Sequence, residues 1–208
     1  MKLSYAITVK DELVQLDRLL NVLYEYTRPE DEIVIVFDSK NGAESVDFYL
    51  RTRTVSESPF VWHSFDFEGH FADLKNFLTE KCSGDYIFNI DADEYPHRQL
   101  LKSLPSLLES NNQVDVFLVP RVNTVDDITD AHIKKWGWRL NEKGWVNFPD
   151  HQWRIYRNNP DIYWVNKVHE RLAGFKAYAA LPAEEEWSLY HPKDLLRQER
   201  QNAYYDTL

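Results

Sequence analysis

Three observations predict an α/β fold with a central, mostly parallel sheet flanked by helices. Short β-rich apolar runs alternate with leucine-patterned helical stretches through the first 120 residues. Several of these runs are continuously apolar, as in strands covered on both faces by helices. Strand–helix repetition of this kind implies right-handed crossovers and a parallel sheet.

Taken in order, Leu3 to Val9 reads as the first strand, ending at Lys10-Asp11-Glu12. Leu13, Leu16, Leu19, Leu20 and Leu23 then recur at helical spacing, with Asp11 and Glu12 where a helix N-terminus favours negative charge. Pro29 lies beyond the far end of that helix. Ile33 to Phe37 is a second strand, running into Asp38-Ser39-Lys40-Asn41-Gly42. Ser45 to Thr54 reads as a helix and Phe60 to Phe65 as a strand. Phe71, Leu74, Phe77 and Leu78 mark the next helix, with Gly84 as its expected C-cap. Tyr86 to Ile90 is a fourth strand ending at Asp91; a helix near Gln99 to Glu109 and a strand at Val114 to Pro120 follow. After Pro120 helical periodicity fades and tryptophans crowd in: Trp136, Trp138, Trp145, Trp153, Trp164 and Trp187. Pro192 to Tyr205 reads as a terminal helix. The expectation is one domain over residues 1–208, in two lobes divided near residue 120.

The 208 residues suffice for one sizeable core. With 43% hydrophobic and 14% aromatic residues, the chain is globular. A net charge of −10 argues against a nucleic-acid partner, which requires a basic face. A phosphorylated ligand would need a metal ion or a local cluster of Lys and Arg. A single cysteine, Cys82, excludes an internal disulfide framework and a thiolate zinc cluster. It suits a reducing compartment. No apolar stretch approaches the roughly 20 residues of a spanning helix, and no signal peptide is evident. The expectation is a cytoplasmic protein without a transmembrane segment.

In doubly wound sheets, ligands bind beyond the carboxyl ends of the strands. Three strands here end in polar clusters, Thr8 to Glu12, Asp38 to Gly42 and Asp91 to Glu94, which should meet on one edge. Asp91 and Asp93 are the sharpest signal. Two carboxylates about 4 Å apart repel by roughly 1 kcal/mol in water and about 4 kcal/mol at an effective dielectric near 20. Placing them after an apolar strand needs compensation, which a divalent cation such as Mg²⁺ or Mn²⁺ supplies. A solvated acidic turn is the competing reading, because a bare Asp-x-Asp is common by chance. Asp38 is placed to accept from a ribose or base, or else to cap its own turn. Lys75 and Asn76 are placed to contact a base or diphosphate, or else form an ordinary solvated helix face.

The residues together resemble the family 2 glycosyltransferases of the GT-A fold. The resemblance runs through Thr8 to Glu12, Val36 to Ser39, Phe71 to Phe77 and Gly84 to Glu94. It continues in Pro149 to Arg157, Val168-His169-Glu170 and Leu189-Tyr190-His191. It implies a nucleotide-sugar-binding half at 1–120 and a small acceptor half at 121–208. Thr8, Lys10 and Asp38 would line the nucleotide pocket, with Lys75 or Asn76 nearby. Asp91 would touch the ribose and the ion, Asp93 would be a direct metal ligand, and His191 would complete the metal or diphosphate site. Glu170 resembles the carboxylate that serves as catalytic base; Asp150, flanked by Trp145 and Trp153, is the competing base.

The implied function is an inverting hexosyltransferase that moves a sugar from a UDP-sugar to an acceptor hydroxyl with Mn²⁺ or Mg²⁺. Each role has a duller rival: Glu170 pairing with Arg171 or Arg154, His191 as a surface histidine, the tryptophans as core. Two or three tryptophans are expected to line a cleft. Lys10, the single acidic residue Asp38 and the short chain depart from the family pattern and bear on base specificity and acceptor size. Two other functions compete. A sugar nucleotidyltransferase would want a glycine-rich loop after the first strand, and Lys10-Asp11-Glu12 has no glycine. A non-catalytic carbohydrate-binding relative would have no need of Asp91, Asp93, Glu170 and His191 together.

Overall fold

The computed structural model describes residues 1–53 and 59–199. Strand β1 (Leu3–Val9) leads to helix α1 (Leu13–Tyr24), β2 (Glu32–Asp38), α2 (Glu44–Arg53), β3 (Val61–Phe65), α3 (Phe71–Lys81) and β4 (Tyr86–Asp91). Then come β5 (Tyr95–Pro96), α4 (Arg98–Ser110), β6 (Val116–Val119), β7 (Arg121–Asp126) and α5 (Asp130–Trp136). The chain continues through β8 (Gln152–Arg157), β9 (Tyr163–Val165), β10 (Arg171–Ala173), β11 (Tyr178–Ala180) and β12 (Leu189–Asp194). Seven strands form the central sheet in the order β11-β6-β8-β4-β1-β2-β3. All run parallel except β8, which enters antiparallel between β4 and β6. Beside it lie the hairpin β9–β10 and a small sheet β5-β12-β7. The predicted α/β class is therefore the observed one.

Alternation along the strands builds two apolar layers. Leu3, Tyr5 and Ile7 of β1 pack with Leu16, Leu19, Leu20 and Leu23 of α1 and with the leucines of α4. Ala6, Val34, Val36 and Ile87 face the other way, onto Ala72, Leu74 and Leu78 of α3. Each fully buried leucine stabilises the fold by roughly 1.5–3 kcal/mol. The same period of two puts Thr8, Asn89 and Asp91 on the α3 side of the sheet. Among the described residues no helix is long and apolar enough to cross a membrane.

Two expectations on local structure change. Gly84 does not cap α3, which ends at Lys81 with an extended Cys82. Its reason is a close approach: a Cβ there would lie 2.7 Å from the Ser4 backbone nitrogen. Pro192 lies in β12 rather than in a helix. Because β5 pairs only with Leu189 and Tyr190, β12 is an edge at Pro192 and loses no hydrogen bond there. Helical residues begin at 195, and residues 200–205 of the expected helix, like Thr54 of the second one, lie outside the described residues.

Candidate active site

The register of the central sheet carries the carboxyl ends of β2, β1 and β4 to one edge. Thr8 stands beside both Val36 and Asp91. Over this edge opens a cleft of about 1330 Å³, lined by Thr8, Lys10, Asp38, Lys75, Asp91 and Asp93 from the first half of the chain. Asp150, Glu170 and His191 line it from the second half, with Trp138, Trp153 and Trp164. Three tryptophans thus reach the cleft, and the remaining four do not line it.

Asp91 is turned to the protein's own cations. Its Oδ2 accepts from Arg154 at 2.6 Å, and its Oδ1 accepts from Thr8 Oγ1 at 3.3 Å and lies 3.6 Å from Lys75 Nζ. Burial alone would push this carboxyl's pKa up, but Arg154 and Lys75 outweigh burial and hold it well below the usual carboxylate range. Asp93 Oδ2 lies 3.3 Å from His191 Nε2 and 3.3 Å from Arg197. Its acidity is likewise raised, burial being outweighed mainly by His191. The second Arg197 contact is Glu12 Oε1 at 2.8 Å. Burial pushes the pKa of Glu12 up, and that of the Lys193 ammonium down to about 8.

Glu94 closes the network from beneath. Its side chain is fully buried, and its Oε1 accepts from Arg154 at 2.7 Å and from Arg121 at 3.0 Å. Arg121 also donates to Asp150 at 2.9 Å. Arg154 comes from β8, and the antiparallel insertion of that strand against β4 sets its guanidinium beside Asp91.

The other expected residues divide. Lys75, only 3% exposed, donates to Glu170 at 2.6 Å and stands 4.7 Å over the Trp164 ring. Asp38 lines the cleft but also caps its own turn, accepting from the backbone of Lys40 and Asn41. Asn76 is a correction: its amide binds the Trp164 backbone through both ends, at 2.8 and 3.0 Å, and it does not line the cleft. Successive helical residues point about 100° apart, so Lys75 and Asn76 cannot share one face. Asp91, Asp93 and His191 line the cleft together. Among the described residues no three His, Cys, Asp or Glu groups converge as a metal cluster, and Asp91 is paired with Arg154.

Asp93 and His191 do face one another, and His191 Nδ1 donates to Asn123 Oδ1 at 2.8 Å. A carboxylate and an oriented imidazole fit Mn²⁺ or Mg²⁺, which is held by one or two protein groups and leaves positions for phosphate oxygens. Sequence reasoning missed Arg121, Asn123, Lys193 and Arg197 as parts of the site, and it named Glu94 only within a strand-end cluster and Arg154 only as a partner for Glu170. Arg154 carried a signal, a charge at an inward position of the strand Gln152–Arg157; Arg197 carried none.

Comparisons place this geometry. A search of curated proteins finds no match to the chain. Among solved structures, S. aureus TarS 1-349 in complex with UDP-GlcNAc superposes with a TM-score of 0.63 over 93% of this chain at 17% identity. The same protein in complex with UDP gives 0.62 over 92% at 16% identity. This chain spans 59% and 60% of those two chains, respectively, so the likeness is one of fold. In sequence, residues 4–185 match glycosyl transferase family 2. With the family's pattern running through nearly the whole length and the GT-A sheet beneath it, the chain belongs to glycosyl transferase family 2.

Proposed function

We propose that this protein transfers a sugar from a UDP-sugar to an acceptor hydroxyl, with inversion at the anomeric carbon and with Mn²⁺ or Mg²⁺ bound. The observation that carries the reading is the meeting of three acidic strand ends beside His191 and Glu170 in one cleft. Solved relatives hold UDP and UDP-GlcNAc, which supports the uridine nucleotide.

Thr8, Lys10, Asp38 and Lys75 line the nucleotide side, and Asp91 takes the ribose. Asp93 and His191 hold the ion, which when bound supplies positive charge against the diphosphate. Lys193 and Arg197, on the same wall, add charge there. Glu170 removes the proton from the acceptor hydroxyl as that oxygen attacks the anomeric carbon. The transition state is oxocarbenium-like, and one carboxylate suffices because the diphosphate already leaves well. Glu170 is preferred to Asp150 as base on hydrogen bonding. The Asp150 carboxylate accepts from Arg121, Asn123 and Gln152. Burial raises its pKa, but these donors outweigh burial and leave it below the usual range, which weakens it as a proton acceptor. In this reading residues 1–120 form the donor half, and the later residues, with Trp138, Trp153 and Trp164, form the acceptor half.

Calorimetry with UDP, with and without Mn²⁺, tests the donor site. UDP binding that ignores the ion would refute metal dependence, and donor hydrolysis across a set of nucleotide-sugars would identify the sugar. Release of pyrophosphate from a nucleoside triphosphate would favour a nucleotidyltransferase instead.

A further inference from the structure

Asp150 stands at positive φ (36°) just before β8, so its carboxylate projects from a constrained backbone into the cleft wall. Its Oδ1 accepts from Gln152 at 2.8 Å, and its Oδ2 accepts from Arg121 Nε at 2.9 Å and from the Asn123 amide nitrogen at 2.7 Å. An ionised carboxylate can only accept, so Asn123 must turn its NH₂ toward Asp150 and its carbonyl oxygen the other way. That oxygen lies 2.8 Å from His191 Nδ1. A carbonyl oxygen also only accepts, so Nδ1 carries the ring proton. Nε2, the other ring nitrogen, faces Asp93, 3.3 Å from its Oδ2. A metal ligand must offer a lone pair, so with the proton on Nδ1 it is Nε2 that can face an ion beside Asp93.

We propose that Asp150 is a positioning residue: acting through Asn123, it holds His191 in the Nδ1–H tautomer and so presents Nε2 to the divalent ion. Arg121 keeps Asp150 in place and is itself held by the buried Glu94. The chain of contacts therefore runs from the buried Glu94 through Arg121, Asp150 and Asn123 to His191, which completes the proposed ion site. This inference rests on the ion-binding reading of Asp93 and His191, and it gives Asp150 a role other than acceptor base.

Two measurements on the full chain test it. The first is nitrogen NMR of the histidine rings in metal-free protein. His191 should be protonated at Nδ1 in the wild type and lose that preference in Asp150→Asn and in Asn123→Ala. The second is Mn²⁺ titration followed by electron paramagnetic resonance. Both variants should bind Mn²⁺ about 10- to 100-fold more weakly, the usual effect of losing a residue that orients a metal-ligating histidine. Glu170→Gln should leave Mn²⁺ binding as it was. If Asp150→Asn keeps the tautomer and the Mn²⁺ affinity while turnover is lost, Asp150 is the base and the inference is overturned. If Asp150→Asn does not fold, Asn123→Ala, which leaves Asp150 in place, decides by the same two readouts. Wild-type protein that binds no Mn²⁺, with or without UDP, overturns the ion-binding reading and this one with it.

Discussion

The two halves of the chain bring opposite charges to the same cleft. The strand ends of the first half supply the acids Glu12, Asp91, Asp93 and Glu94. Their ion-pair partners come almost entirely from beyond residue 120: Arg121, Arg154, His191 and Arg197. Lys75 is the exception. The lesson concerns compensation. Carboxylates at the end of a buried strand need positive charge, and a divalent ion is one source. Here Asp91 and Glu94 share Arg154, while Asp93 faces the His191 ring and, at 3.3 Å, Arg197. The acids thus divide: Asp91 and Glu94 are held together by Arg154, and Asp93 stands beside His191, where the ion is proposed to bind.

That division can be broken at several points, beginning with the largest effect. Glu170→Gln should lower turnover by about 10²–10⁴-fold, the usual contribution of a general base, while UDP affinity by calorimetry stays unchanged. Asp93→Ala should lower kcat by about 10²–10³-fold, as expected for lost electrostatic stabilisation of a leaving group, and should abolish Mn²⁺ binding. In Asp91→Asn the ion should still bind and UDP affinity should fall; equal loss of Mn²⁺ in both variants would erase the distinction between the two aspartates.

Stability should report the compensated side. Arg154→Leu leaves the fully buried Glu94 and the half-buried Asp91 without their shared partner, and breaking a buried pair costs about 3–5 kcal/mol, measurable by urea unfolding. Acid should act on the same network. The carboxyls of Asp91, Asp93 and Asp150 have folded pKa values below their unfolded ones. Their contribution is therefore complete above the ordinary Asp value near 3.9 and is lost as pH falls below it. Unfolding midpoints should hold from about pH 7 to 5 and drop steeply below about 4, less steeply in Arg154→Leu. The smallest effect belongs to the outer face. Arg98→Ala removes an exposed pair with Glu25 and should cost less than about 0.5 kcal/mol.

Much of this was legible from local pattern. The leucine spacing of α1, the apolar run of β2 and the strand ending at Asp91 all fall where periodicity puts them. The meeting of Thr8, Asp38 and Asp91 on one edge follows from parallel strands alone. Other features resisted. Asn76 looks equivalent to Lys75 in a list of polar residues, yet a 100° turn of helix separates a cleft residue from one that clasps β9. Gly84 looks like a helix cap and is instead a point of close backbone approach.

By itself, then, the amino-acid sequence determined the alternating elements, the sheet class and the row of acids at the strand ends, because each depends on residues near one another in the chain. The tertiary structure decided which acid is neutralised by which cation. Arg154 reaches Asp91 across 63 residues, and Arg197 reaches Asp93 across 104. No local period encodes such a pairing: it exists only once β8 has entered the sheet antiparallel and β12 has paired with β7.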